Sequence, residues 1–174
     1  MVRYRRVRVA GGTYFFTVAL ADRRAATLVR HADMLREAFR VTRERHPFTV
    51  DAIVVLPEHL HTIWTLPEGD DDYPARWQLI KTRFTRGVSK LGIAWPPLQS
   101  PWQRRYWEHV IRDDGDFRHH VDYIHYNPVK HGHTVRVRDW PYSSFHRYVK
   151  NGMLSIDWGS GVVVDDAGFG EWGG

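Results

Sequence analysis

Two histidines one residue apart, His59-Leu60-His61, are the first residues in this 174-residue chain whose types and spacing suit chemistry. On a β-strand the side-chain period is two, so both imidazoles face the same way and can meet one divalent ion. The spacing alone is weak evidence. Eleven histidines in 174 positions supply roughly 0.7 such pairs by chance, and His131-Gly132-His133 is a second one. That second pair straddles a glycine just past a helix end, where a turn need not bring the rings together, so it is set aside as a control. The first pair also lacks the further Asp and His of an HxHxDH zinc hydrolase, because Thr62 and Ile63 follow.

A helix downstream supplies what the histidines lack. Asp113 or Asp114 can cap it, Phe117, Val121 and Ile124 point inward, and Pro128 is expected to end it at about Asn127. Tyr123 and Asn127, four apart, share a neighbouring face with His120 beside them. The nitrogens of His59 and His61 with the amide oxygen of Asn127 make an incomplete donor set for Mg²⁺ or Mn²⁺, leaving positions for water and phosphate oxygens. A divalent ion that polarises a phosphodiester next to a tyrosine hydroxyl leads to attack on phosphorus and a covalent phosphotyrosine. Each residue also has a purely structural reading: Tyr123 or Tyr126 as the rim of an amphipathic core, Asn127 as a C-cap before Pro128, His120 as a surface position.

Composition narrows the partners. With no cysteine, disulfides, thiolate nucleophiles and cysteine-based metal sites are excluded. The last 24 residues hold Asp157, Asp165, Asp166 and Glu171 with no Lys or Arg; this tail carries −4 against the net +5 of the whole chain, so residues 1–150 carry +9. A body so basic favours a polyanion. The longest apolar stretch, Tyr14 to Ala21, falls far short of the roughly 20 residues of a membrane-spanning helix, and no signal-peptide pattern precedes it.

The elements that must position these groups follow from periodicity. Thr13 to Leu20 reads as a strand, and Leu28, Ala32, Leu35 and Phe39 form the stripe of a helix over 25–45 that Pro47 stops. Thr49 to Leu56 and His59 to Leu66 form a hairpin about Pro57-Glu58. Asp72 then caps a helix over 74–91 with Trp77, Ile80, Phe84, Val88 and Leu91 inward. Arg76, Arg83, Arg86 and Lys90 fall on its adjacent stripe, either a solvated face or one that tracks phosphates. Residues 94–107 read as a connector with a short strand, and a Ser-capped helix begins near Phe145. Seven of the 14 glycines lie beyond residue 150. The order predicts an α+β fold, a compact antiparallel sheet with helices packed on one face, extra C-terminal helices and a tail. The expected organisation is a catalytic domain over 1–150 and a Gly-rich acidic tail over 151–174.

Several motifs stand in a recognisable order: Gly11-Gly12-Thr13-Tyr14-Phe15-Phe16-Thr17, Leu56-Pro57-Glu58-His59-Leu60-His61, Tyr106-Trp107-Glu108-His109, His120-Val121-Asp122-Tyr123-Ile124-His125-Tyr126-Asn127-Pro128-Val129-Lys130-His131-Gly132, and Asp139-Trp140-Pro141-Tyr142-Ser143-Ser144-Phe145. Together they resemble the REP-associated tyrosine transposases, single-tyrosine HUH transposases of the bacterial insertion-sequence group, over residues 1 to about 150. The resemblance implies a ferredoxin-like sheet, His59 and His61 as ligands of Mg²⁺ or Mn²⁺, Tyr123 as nucleophile, and Asn127 where relatives place a third metal-binding side chain. Insertion-sequence relatives commonly carry Gln at that last position; the Asn here is shorter and immediately precedes Pro128. It also implies single-stranded DNA as substrate, cut and rejoined near an extragenic palindromic hairpin through a 5′-phosphotyrosine, in the bacterial cytoplasm at the nucleoid. The alternative is a non-catalytic hairpin-binding protein. Phosphate contacts are expected from Arg5, Arg6, Arg83, Arg86, Arg104, Arg105 and Lys130, with His120 at the DNA or as general base, and with Trp and Tyr side chains stacking unpaired bases. The chain is expected to act as a monomer, with dimerisation as in insertion-sequence relatives the alternative, and its acidic tail to fold over the basic groove.

Overall fold

The computed structural model describes residues 6–95 and 100–161. Strand β1 (Thr13–Ala19) is apolar on both faces and buried along almost its whole length, which places it inside a sheet covered on both sides. It pairs antiparallel with β3 (His59–Thr65) and β4 (Trp107–Val110), and β3 pairs antiparallel with β2 (Thr49–Val55). The resulting order is β2-β3-β1-β4, the ferredoxin-like arrangement, with β2 and β4 at the edges.

Strand alternation divides the core into two layers. Tyr14, Phe16, Val18, Leu60 and Trp64 face α2 (Ala32–Arg45) and α3 (Tyr73–Ser89), where Trp64 stacks on Trp77 with ring centroids 4.2 Å apart. Phe15, Ala52, Val54 and Ile63 face α4 (Asp114–Lys130), which contributes Val121, Tyr123 and Ile124. The expectation of helices on one face thus describes α2 and α3, while α4 forms a second layer on the opposite side.

Local chemistry explains where the elements depart from the periodic pattern. The helix expected over 25–45 is split at His31 into α1 (Thr27–Arg30) and α2, and the amide of Leu28 donates to the Pro57 carbonyl of the β2–β3 turn. Pro128 does not end α4. The missing amide costs one bond, but His131, Gly132 and His133 donate to the carbonyls of Asn127, Val129 and Pro128, and Gly132 takes φ +70° to close the end. The short α5 (Phe145–Lys150) has no side-chain cap from Ser144, whose hydroxyl instead accepts from the Ile53 amide at 2.9 Å and meets His125 Nε2 at 2.9 Å. Arg76 leaves the solvated stripe: it is 3% exposed, pairs with Asp70 at 2.6 Å and donates to the carbonyls of His46, Pro47 and Asp72. Leu91, expected inward, lies past the end of α3 and is exposed.

The 150/151 boundary falls at the end of α5, and the next residues turn back on the body, Trp158 packing against Phe145 and His125 and Asp157 pairing with Arg138. Arg5 and residues 162–174, most of the acidic tail, lie outside the described residues.

Candidate active site

His59 and His61, at i and i+2 on β3, project toward the α4 layer, where His61 stacks on Phe15. Their ring centroids are 4.9 Å apart with planes at 84°. Each Nδ1 is engaged by an outer partner: His61 with the Thr17 hydroxyl at 2.8 Å, His59 with the Glu58 carboxylate at 2.8 Å. Such contacts fix ring orientation and assign any metal ligation to Nε2. Arg23 reaches Glu58 from outside at 3.6 Å. Burial pushes the Glu58 carboxyl up, but the hydrogen bond and charge of His59 outweigh it and leave the group below the usual carboxylate range.

Helix α4 brings Tyr123 against this pair, its ring 5.3 Å from that of His61 and nearly edge-on. Tyr123, Asn127 and His131 stand at i, i+4 and i+8 along one stripe, and the last of them lies 5.3 Å from His59. The two ends of the stripe therefore touch the two histidines, and Asn127 is held between them. Lys130 donates from Nζ to the Tyr123 hydroxyl at 3.2 Å and lies 4.9 Å from its ring centroid. His59, His61, Tyr123 and Asn127 are each 0–1% exposed, so the arrangement is enclosed. Tyr126 faces elsewhere, next to Gly159, which separates the two tyrosines that the pattern left open.

His120 lies on the same layer, 4.7 Å from Phe15, with its ring stacked on His109 at 4.7 Å and 13°. The two imidazoles and Asp116 place ligand atoms within 4.8 Å of one another. The geometry is that of a clamp rather than a metal centre. The near-parallel rings both address the one carboxylate, His120 Nδ1 also meets the Asp116 carbonyl at 2.8 Å, and Arg112 donates to the same carboxylate. Burial raises the Asp116 carboxyl, but hydrogen bonds from His109 and Arg112 outweigh it and hold the group at about 2. Burial also lowers His120 below the ordinary histidine value.

The expected phosphate-contacting residues divide by face. His120 and Lys130 lie on the Tyr123 side. Arg83 and Arg86 lie on α3, on the opposite side, and Arg104 and Arg105 are exposed just before β4. Arg6 sits over the Tyr106 ring at 4.1 Å and pairs with Glu108 at 3.5 Å. Three residues escaped the sequence reading. His131 was set aside because α4 was expected to stop before it; the i, i+4, i+8 relation to Tyr123 was its signal. Thr17 gave no signal without the strand register. Trp107, 38% exposed, is the third: Thr17 pairs with His61 on one side and with Trp107 on the other, so this tryptophan shares the face of the histidine pair.

No helix among the described residues is long and apolar enough to cross a membrane. No family model matches the chain. Individual proteins do. It is 50% identical over 168 residues, 97% of each chain, to the REP-associated tyrosine transposase of Escherichia coli. A Haemophilus influenzae relative is 47% identical over 165 residues, covering 91% of this chain and 94% of its own. A solved structure of a REP-associated tyrosine transposase bound to a REP hairpin superposes with a TM-score of 0.90 at 49% identity, over 99% of this chain and 98% of that one.

Proposed function

The chain belongs to the REP-associated tyrosine transposases and is a DNA transposase, and from that premise we propose that it cuts and rejoins single-stranded DNA beside a palindromic hairpin through a phosphotyrosine on Tyr123. One observation carries the reading: the stripe Tyr123–Asn127–His131 lies across the His59/His61 pair, with the tyrosine ring 5.3 Å from His61. The pairing of a REP hairpin with the 49%-identical neighbour supports the choice of substrate.

The donor set fits Mg²⁺ or Mn²⁺. Both imidazoles have Nδ1 engaged, leaving ligation to Nε2, and Asn127 offers an amide oxygen from one turn beyond the nucleophile. When bound, the ion supplies Lewis-acid polarisation of a phosphate oxygen. The remaining steps belong to the chain. The Tyr123 oxygen attacks phosphorus, the P–O3′ bond breaks as the P–O(Tyr) bond forms, and the 5′-phosphate stays on the protein until a second 3′-hydroxyl reverses the exchange. Phosphodiester number is conserved, so no nucleotide hydrolysis is required. A free phenol has a pKa of about 10, and the Lys130 ammonium on the Tyr123 hydroxyl stabilises the phenolate character that attack demands. The His pair and Tyr123 come from β3 and α4 of one chain, which supports action as a monomer; a DNA substrate supports a place in the cytoplasm, at the nucleoid.

A denaturing gel of the protein with a labelled hairpin oligonucleotide and Mn²⁺ tests this directly. A covalent adduct that Tyr123→Phe abolishes is the expected result. Cleavage that survives Tyr123→Phe would assign the reaction to activated water instead. Salt-sensitive binding with no adduct under any metal would leave a hairpin-binding protein without catalysis.

A further inference from the structure

Lys81 is out of place on the other face of the sheet. It projects from α3 into a cavity of about 340 Å³ whose walls include Arg6, Trp102, Gln103, Arg104 and Tyr106. Its ammonium lies 5.5 Å from the Trp102 ring centroid and 5.1 Å from that of Tyr106. Among the described residues it has no hydrogen bond or ion pair, and the charge that acts on it, Arg6, repels it. Burial and that repulsion push the ammonium down to about 8. Glu108, which alternation places on the same side of β4 as Tyr106, is paired with Arg6. The Tyr106 hydroxyl is buried and makes no hydrogen bond among the described residues.

Lys81 is partly buried; desolvating a cation with no anion beside it among the described residues costs free energy, and an anion entering the open cavity would offset that cost. The walls combine positive charge with aromatic rings, the pairing that single-stranded nucleic acids engage through phosphate and base together. The cavity lies at the low end of the about 300–1,000 Å³ typical of ligand pockets, suited to one nucleotide and too small for a duplex. Its position fits a path for the strand as well. Trp107 and the tyrosine face lie on one side of β4, the cavity on the other, and exposed Arg104 and Arg105 stand at the edge between them.

We propose that this cavity holds one unpaired nucleotide of the DNA flanking the hairpin, its phosphate against Lys81 and Arg6 and its base on the side walled by Trp102, Gln103 and Tyr106. The site thereby sets which phosphate of the flank arrives at Tyr123. This rests on the single-stranded DNA reading above and extends it to a specific subsite remote from the reacting groups.

The test compares the full-length protein and Lys81→Met in fluorescence anisotropy with two labelled DNAs, a hairpin carrying its single-stranded flank and the same hairpin trimmed. Wild type is expected to prefer the flanked DNA. Lys81→Met should lose about tenfold in affinity for it, leave the trimmed hairpin unaffected, and melt at the same or a higher temperature because a partly desolvated charge is gone. Retention of the full preference, equal weakening on both DNAs, or a lowered melting temperature would overturn the inference. On the wild-type side, abasic replacement along the flank should single out one position; a uniform response argues against a pocket. If wild type binds neither DNA, the substrate reading itself fails, an outcome distinct from a Lys81→Met variant that behaves like wild type.

Discussion

The two faces of one sheet are built to different rules. Against α2 and α3, Phe16, Trp64, Trp77 and Phe39 pack ring on ring with few buried polar side chains among them. Against α4, the sheet buries His59, His61, Thr17, His120, His125 and Asn127 among a smaller set of apolar residues. Burying polar groups stabilises only when their hydrogen bonds are met, so the second face depends on Thr17, Glu58, Ser144 and Asp116 as outer partners. The first face holds the fold together, and the second gives up part of that stability to hold the polar side chains of the candidate site in place.

Four substitutions can break this division, beginning with the largest effect. Tyr123→Phe removes one oxygen from the polar face; adduct formation should vanish on the gel while the melting temperature moves little, and a large loss of stability would mean that the hydroxyl belongs to the fold. Trp77→Ala is its mirror image, expected to cost about 3–5 kcal/mol in denaturant unfolding without touching the chemistry of the molecules that remain folded. Lys130→Met should slow adduct formation by about 10²-fold, the scale of losing one donor at a site of developing charge, with hairpin affinity nearly unchanged. If affinity falls in step with rate, Lys130 is a phosphate contact, as its sequence context suggested. Asp116→Asn should cost about 1–3 kcal/mol at neutral pH. Its folded carboxyl sits at about 2, below its ordinary value of 3.8; the stabilisation is therefore present above the unfolded value and is lost as pH falls through the folded one. The gap between wild type and variant should close from about pH 4 to about pH 2, and a gap independent of pH would point to packing instead.

Much of the first face was legible in the sequence because its signals are local. The β-branched and aromatic run Thr13–Ala19 marks a strand, buried on both faces, and the stripe Trp77, Ile80, Phe84, Val88 names its own buried side. The second face was legible one element at a time: period two aligned His59 with His61, and helical period aligned Tyr123 with Asn127. That these two alignments meet could not be read from either, since the contact joins β3 to a helix across a long stretch of chain, and family resemblance supplied it. Other features depended on context that no local pattern carries. Pro128 was expected to stop α4, yet capping beyond it keeps Lys130 on the helix and His131 at its C-cap. Arg76 read by spacing as part of a solvated or phosphate-tracking stripe, but its guanidinium is satisfied by Asp70 and three carbonyls. Trp107 became a neighbour of the histidine row only through the register of two strand pairs.

The enclosure of Tyr123 has a consequence for how the transposase handles a broken strand. If Tyr123 is the nucleophile proposed above, an oxygen on a side chain 1% exposed would meet phosphate only after an opening event, and stray single strands would be spared by default rather than by rejection after contact. The same shelter works in reverse once the bond to DNA exists. On the proposed reading, a phosphotyrosine closed off from water would wait for a 3′-hydroxyl instead of hydrolysing, and the difference would decide whether the strand ends joined or left as a nick.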